Sequence, residues 1–174
     1  MHKTGKIIFV GGVHAVGKST FASMIKRKNS QIESLSCSDI IKWENPTHKE
    51  VENVGETQNT LLRNLPYFID QDKYYILDGH FCLLTEHGGI ERVPIEVFEA
   101  MSPSMIVVLK EEPKVICQRL IQRDSHNYSL GLITEFQEKE IRYAKEVADT
   151  LGVPLEECDS TNRENVILSV LDSL

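Results

Sequence analysis

The chain has 174 residues, 41% hydrophobic and 26% charged, proportions that suit one soluble domain built on one core. Its 26 acidic against 19 basic side chains give a formal charge of -7, which argues against an extended nucleic-acid surface, since phosphate backbones are held by clustered Lys and Arg. Cys37, Cys82, Cys117 and Cys158 are scattered without a C-x-x-C pair, so neither a zinc ribbon nor a thioredoxin-like site is indicated and reduced core cysteines are expected.

Met1 to Lys6 run into only four apolar residues before Gly11, too few for a signal peptide or a membrane span, so a cytoplasmic protein without membrane contact is expected. Ile7-Ile8-Phe9-Val10 is the short apolar run of a strand buried on both faces. After Lys18, the residues Phe21, Ala22, Met24 and Ile25 recur at helical spacing, and Lys26-Arg27-Lys28 puts positive charge at the helix's negative end, near Asn29. Ile32 to Cys37 reads as a weaker strand. Ser38-Asp39 can then cap a short helix with Ile40, Ile41 and Trp43, stopped by Asn45-Pro46. Thr47 to Leu65 reads as a helix with one irregular point at Gly55.

Tyr74-Tyr75-Ile76-Leu77 forms a strand that delivers Asp78 at its carboxyl end, and a loop holding His87-Gly88-Gly89 leads to a short helix from Pro94 to Met101. Met105 to Leu109 is the most strand-like run. Pro113 opens a helix to about Arg123, and a polar stretch from Asp124 to Ser129 separates it from a long helix between Leu130 and Leu151 that stops at Gly152. Pro154 to Cys158 is a short last strand and Glu164 to Leu174 a closing helix. Strands and helices thus alternate about five times, with connections suited to right-handed crossovers over a five-stranded parallel sheet, an α/β fold.

Gly12-Val13-His14-Ala15-Val16-Gly17-Lys18-Ser19 fits G-x-x-x-x-G-K-S between the first strand and first helix, and predicts a P-loop binding ATP with Mg²⁺. Loop N–H groups and the positive end of the helix converge on the β-phosphate, and Gly12 and Gly17 permit the turns. Lys18 is a mobile point charge for the β- and γ-phosphates, Ser19 is placed to ligate Mg²⁺, and Thr20 to meet the α-phosphate. His14 either touches the γ-phosphate or contributes its backbone alone. Asp78 either lies near the magnesium's waters or caps a turn before Gly79. Arg119 and Arg123, four apart on one helix face, either reach the same anion or pair with Glu112 and Asp124 in solvent.

Four segments in order make the chain resemble the adenylate kinase group of P-loop nucleoside monophosphate kinases: the P-loop, Ser36 to Lys42, Ile76-Leu77-Asp78-Gly79, and Gln118 to Arg123. The resemblance implies a three-layer α/β/α P-loop NTPase fold in one domain, with an acceptor-binding region over about 38–66 and a short lid over about 119–132. It implies that Ser38, Asp39 and Lys42 line the acceptor pocket, that Arg119 and Arg123 grip donor phosphates, and that Thr161, in the loop Asp159 to Asn162, packs on adenine. The group follows Asp-Gly with Phe-Pro-Arg, whereas this chain reads His80-Phe81-Cys82 and loses an arginine that holds the acceptor phosphate. His80 then either contacts the acceptor or acts in proton transfer, or is structural.

The leading expectation is a phosphotransferase: Lys18, Arg119 and Arg123 stabilise charge, and Asp78 organises the metal, as ATP·Mg²⁺ donates to a nucleotide-like or other small acceptor. The alternative is a P-loop ATPase acting as a switch on a protein or ribonucleoprotein partner. The chain lacks an Asn-Lys-x-Asp base-reading motif, which disfavours a GTPase, and it is short for the extra helical domain of an AAA+ ring machine, so a monomer or homodimer is expected.

Overall fold

The computed structural model describes residues 6–43, 54–125 and 127–174. Strand β1 (Lys6–Gly11) is buried from Ile7 onward because it runs through the middle of a five-stranded sheet. Its neighbours are β3 (Tyr74–Gly79) on one side and β6 (Met105–Leu109) on the other; β2 (Ile32–Ser36) and β7 (Leu155–Cys158) form the edges. Every pairing is parallel, so the carboxyl ends align: Gly11 stands level with Gly79 and Val108, and Val10 with Asp78. The chain builds β2 and β3 to one side of β1 and then crosses to the other for β6 and β7. That reversal at β1 opens a crevice at its carboxyl end.

Helix α1 (Lys18–Lys28) packs on β2 and β3 and touches α7 (Arg163–Asp172), which rests on β7. The other layer holds α4 (Ile95–Met101), α5 (Pro113–Asp124) and α6 (Leu130–Leu151), the last lying against β6 and β7. Helices α2 (Cys37–Lys42) and α3 (Val54–Asn64) pack on each other, and α3 also meets α4. This is the expected three-layer α/β/α arrangement. Under the carboxyl end of β1, Phe9, Phe81 and Phe98 pack ring to ring at centroid separations of 5.1 to 5.4 Å, and all three are buried.

The differences from the sequence reading are local, apart from one. Helix α2 begins at Cys37 with Ser36 at its N-cap, earlier than a cap by Ser38-Asp39 requires, and Ser36 and Ser38 share a hydroxyl hydrogen bond of 2.9 Å. Helix α3 begins at Val54, so Gly55 stands in its first turn and breaks no interior; residues 47–53 lie outside those described. The larger difference is a hairpin, β4 (Cys82–Leu84) and β5 (Ile90–Arg92), where only a loop with His87-Gly88-Gly89 was expected. Its strands are too short for a period-2 pattern to register. It is closed by Thr85 and Gly89 and fastened to α6, where the Arg92 guanidinium makes two bonds to Glu146 at 2.6 and 3.0 Å and lies over the Tyr143 ring. All four cysteines are free thiols, Cys82 and Cys158 buried and Cys37 and Cys117 half-buried. Among the described residues no helix is long and apolar enough to cross a membrane.

The glycine after Asp78 is required by packing. A Cβ on Gly79 would lie 2.8 Å from Phe9 Cζ and 2.9 Å from Cys37 Sγ, and the Phe9 ring is locked among other aromatics. Gly79→Ala should therefore destabilise the fold by about 1–3 kcal/mol, read as a lowered urea midpoint with an unchanged slope. An unshifted midpoint would show that the Phe9 ring yields freely.

Candidate nucleotide and acceptor site

The loop between β1 and α1 is shaped by three residues in left-handed or related conformations. Gly12 has φ 152° and lies so close to Val16 and the Leu109 carbonyl that a Cβ would be 2.8 Å and 3.0 Å from them. Gly17, at φ 112°, forms the N-cap of α1 and offers no side chain to its first-turn N–H groups, which leaves that end of the helix suited to an anion. Ala15 holds φ 63° without being a glycine, a strained position. Val13 and Val16 bury their side chains beneath the loop and anchor it to the core.

Lys18 is only 9% exposed, and its ammonium donates to the carbonyls of Gly12 at 2.9 Å and Val13 at 3.0 Å. Burial pushes its pKa down, while the Asp78 and Glu140 carboxylates push it back up. The same burial raises the Asp78 pKa, opposed by the Lys18 charge and by the nearby Ser19 hydroxyl, with Asp39 adding to the rise. Ser19 and Asp78 form an all-oxygen donor pair that fits a hard cation such as Mg²⁺, which takes one or two protein oxygens alongside water and phosphate. Among the described residues no three His, Cys, Asp or Glu side chains are grouped for a metal ion.

Behind Asp78 the His80 ring packs against His14, the two tilted by 47° with centroids 4.3 Å apart. Burial, then the Lys18 charge, lowers the His80 pKa to about 3, so its imidazole is neutral. Its Nδ1 faces Glu140 Oε1 at 3.4 Å and has no hydrogen-bond partner. Glu140, 1% exposed on α6, accepts the backbone N–H groups of Phe81 at 2.9 Å and Cys82 at 3.3 Å. Burial raises its pKa to about 7 against the pull of those donors and Lys18. Glu140 is absent from the sequence reading, yet its signal is present: α6 buries Ile133, Phe136, Tyr143 and Val147 on one stripe, and Glu140 is the carboxylate within it.

The P-loop opens into a cleft of about 1710 Å³ that runs from His14 to Thr20 toward α2, α3 and the hairpin. Ser38 and Lys42 line it, as do Asp78, His80, Arg119 and Arg123; Asp39 does not. The two arginines divide their tasks. Arg119 donates to the Ala15 carbonyl at 3.1 Å and the Val16 carbonyl at 3.4 Å and pairs with Glu111 at 3.3 Å, so it braces the P-loop. Arg123 is mostly in solvent, 3.8 Å from Asp124. Thr161 is exposed, bonds Asp159 through N–H and hydroxyl and lies off the cleft wall, whereas Arg163 is on it.

Two outcomes follow from these contacts. Arg119→Ala frees the Ala15 carbonyl, and the affinity of a non-hydrolysable ATP analogue, measured by calorimetry, should fall about tenfold or more; unchanged affinity would show the loop needs no brace. Glu140 has a folded pKa above that of an ordinary carboxylate, so its contribution to stability is complete below about pH 4.5 and is lost as pH rises to about 7. Glu140→Gln lacks that loss. Between pH 5 and pH 8 the stability difference in urea should move in favour of the variant by on the order of 2 kcal/mol, and parallel profiles would rule the buried proton out.

A family model described as an AAA domain matches residues 11–135, which include the P-loop, Asp78 and both arginines. The adenylate kinases of Pyrococcus horikoshii and Pyrococcus abyssi are each 24% identical over 132 residues, 67% of this chain, and the chain spans 65% of the length of either. The adenylate kinase of Methanopyrus kandleri is 24% identical over 129 residues, covering 68% of both chains. A gluconokinase structure from Sinorhizobium meliloti 1021 superposes with a TM-score of 0.55 at 12% identity, over 99% of this chain and 93% of that one, and so shares its fold. With a family match across most of its length and adenylate kinase relatives over two thirds of it, the chain belongs to the family described as AAA domain, an adenylate kinase-like P-loop kinase family.

Proposed function

We propose that the protein is a phosphotransferase that moves the γ-phosphoryl group of ATP, bound with Mg²⁺, to a small-molecule acceptor. The observation that carries this reading is the extent of the cleft. At about 1710 Å³ it exceeds the 300–1,000 Å³ of ordinary ligand pockets, and it continues past the P-loop onto α2, α3 and the hairpin, giving a second ligand room beside the first. A hydrolytic switch needs only the nucleotide half.

In this reading the backbone from Gly12 to Gly17 and the start of α1 hold the phosphates, and the Lys18 ammonium leaves the Gly12 and Val13 carbonyls for the β- and γ-phosphate oxygens. Ser19 and Asp78 would hold the metal, which would supply charge neutralisation to the phosphates. Thr20 lies beside them on the cleft wall. Arg123, exposed at the end of α5, is the guanidinium free to swing onto transferring charge, while Arg119 keeps the loop in shape. The neutral His80 imidazole stands next to the loop as a hydrogen-bonding group for the acceptor side.

The test is ADP formation by the purified protein with ATP and Mg²⁺, alone and with nucleoside monophosphates, nucleosides and small phosphorylatable metabolites, using Lys18→Ala as the blank. Stimulation by an acceptor, with Asp78→Asn lowering the rate by about 10²-fold or more, is the expected result. Slow hydrolysis indifferent to every acceptor and abolished in the blank would instead favour an ATPase that acts on a macromolecular partner.

A further inference from the structure

The acceptor half of the cleft says what kind of molecule it takes, granted the kinase reading above. The cations on the cleft wall are unevenly placed. Lys18, Arg119, Arg123 and Arg163 stand on the P-loop side, on α1, α5 and α7. Among the described residues Lys42 is the one lysine or arginine that lines the cleft from α2, α3 or the hairpin; Arg63 and Arg92 lie off its wall, and the hairpin brings Glu86 and Glu91 to it, both exposed and neither in an ion pair. A phosphomonoester, close to doubly charged at neutral pH, is ordinarily gripped by forked guanidinium groups. Here it would meet one ammonium and two unpaired carboxylates, whose repulsion opposes it.

The second observation is Gln58 on α3. Its side chain is 7% exposed and lines this half of the cleft, and among the described residues it makes no side-chain hydrogen bond. A carboxamide that opens on a cleft offers both a donor and an acceptor, and it is completed by a ligand that carries the matching groups. On the same helix Asn64 lies away from the cleft wall: its Nδ2 donates to the Ile40 carbonyl at 2.9 Å and its Oδ1 is buried without a partner, so of the two amides Gln58 is the one a cleft ligand can reach.

We propose that the acceptor is a phosphate-free hydroxyl compound, neutral or amine-bearing, recognised by Gln58 in the half of the cleft bounded by α3 and the β4–β5 hairpin. An acceptor hydroxyl oxygen forms the new P–O bond to the γ-phosphorus as the bond from that phosphorus to the β–γ bridging oxygen breaks. ADP leaves with the electron pair, and the hydroxyl proton is released to water.

The experiment follows label from [γ-³²P]ATP into organic products, using a protein-free small-molecule extract of the cells that make this protein. One half of the extract is first treated with alkaline phosphatase, which is then removed. Labelled organic product should form at least as well with the dephosphorylated half. Gln58→Met, which fills the same volume without the amide, should raise the amount of extract needed for half-maximal rate about tenfold while the maximal rate stays within about threefold; its affinity for an ATP analogue reports that the site has folded. Product formation lost on phosphatase treatment overturns the inference and leaves the kinase reading standing. Labelled product from neither half overturns both. An unmoved half-saturation point in folded Gln58→Met removes Gln58 from acceptor recognition and overturns the assignment of this half of the cleft.

Discussion

An ammonium taken out of water must find carbonyls and anions around it, and the Lys18 side chain sets that requirement at the carboxyl edge of the sheet. The P-loop meets part of it by folding back until the Gly12 and Val13 carbonyls reach Nζ, which demands the turns at Gly12 and Gly17 and tolerates the left-handed Ala15. The sheet register meets another part, since β1 and β3 run level and carry Asp78 to the height of Val10, next to the loop. Burial lowers the Lys18 pKa and raises that of Asp78, and each group's charge opposes the other's shift. Each charge thus favours the charged form of the other against burial, and Lys18 stands in reach of any phosphate that replaces the loop carbonyls.

How much of this could be read from the chain depends on whether the physics is local. A P-loop is legible because phosphate binding uses consecutive backbone groups, which leave a fixed spacing of glycines, lysine and serine in one stretch. Asp78 is legible because a strand ends there, and its glycine is forced by the Phe9 ring and the Cys37 sulfur, contacts no sequence rule displays. The Glu140 contact with Phe81 and Cys82 spans nearly 60 residues, so nothing local announces it beyond a carboxylate in an apolar stripe. The hairpin escapes for another reason: three-residue strands carry no period, and what holds β5 in place, Arg92 on Glu146 and Tyr143, is again distant in sequence. Arg119 and Arg123 show a third limit. Spacing of four puts them on one helix face but leaves the partner open, and one side chain turned to the loop carbonyls while the other stayed in solvent.

Charge is arranged against the average of the molecule. The whole chain carries -7, yet lysines and arginines gather on the P-loop, α5 and α7, around the anion-suited start of α1. The field in a cleft with low-dielectric walls is set by such local groups more than by net charge. If the cleft takes ATP as proposed, the cations favour the triphosphate at one end and the hairpin carboxylates oppose it at the other.

Helix α6 ties the two ends of this arrangement together. Within one turn it presents Gln137, whose amide bonds the Glu111 backbone at both N–H and carbonyl, and Glu140, which holds the Phe81 and Cys82 N–H groups. From Gln137 the contacts run through Glu111 to Arg119 and so to the Ala15 carbonyl in the P-loop. From Glu140 they run to the junction of β3 and β4, where His80 stands and the hairpin begins. A small shift of α6 along its axis would therefore act on the donor loop and the acceptor wall together, because both hang from side chains three residues apart. Such a shared support keeps the two halves of the cleft in register without any contact between their contents, as the proposed in-line transfer from one bound molecule to another would require.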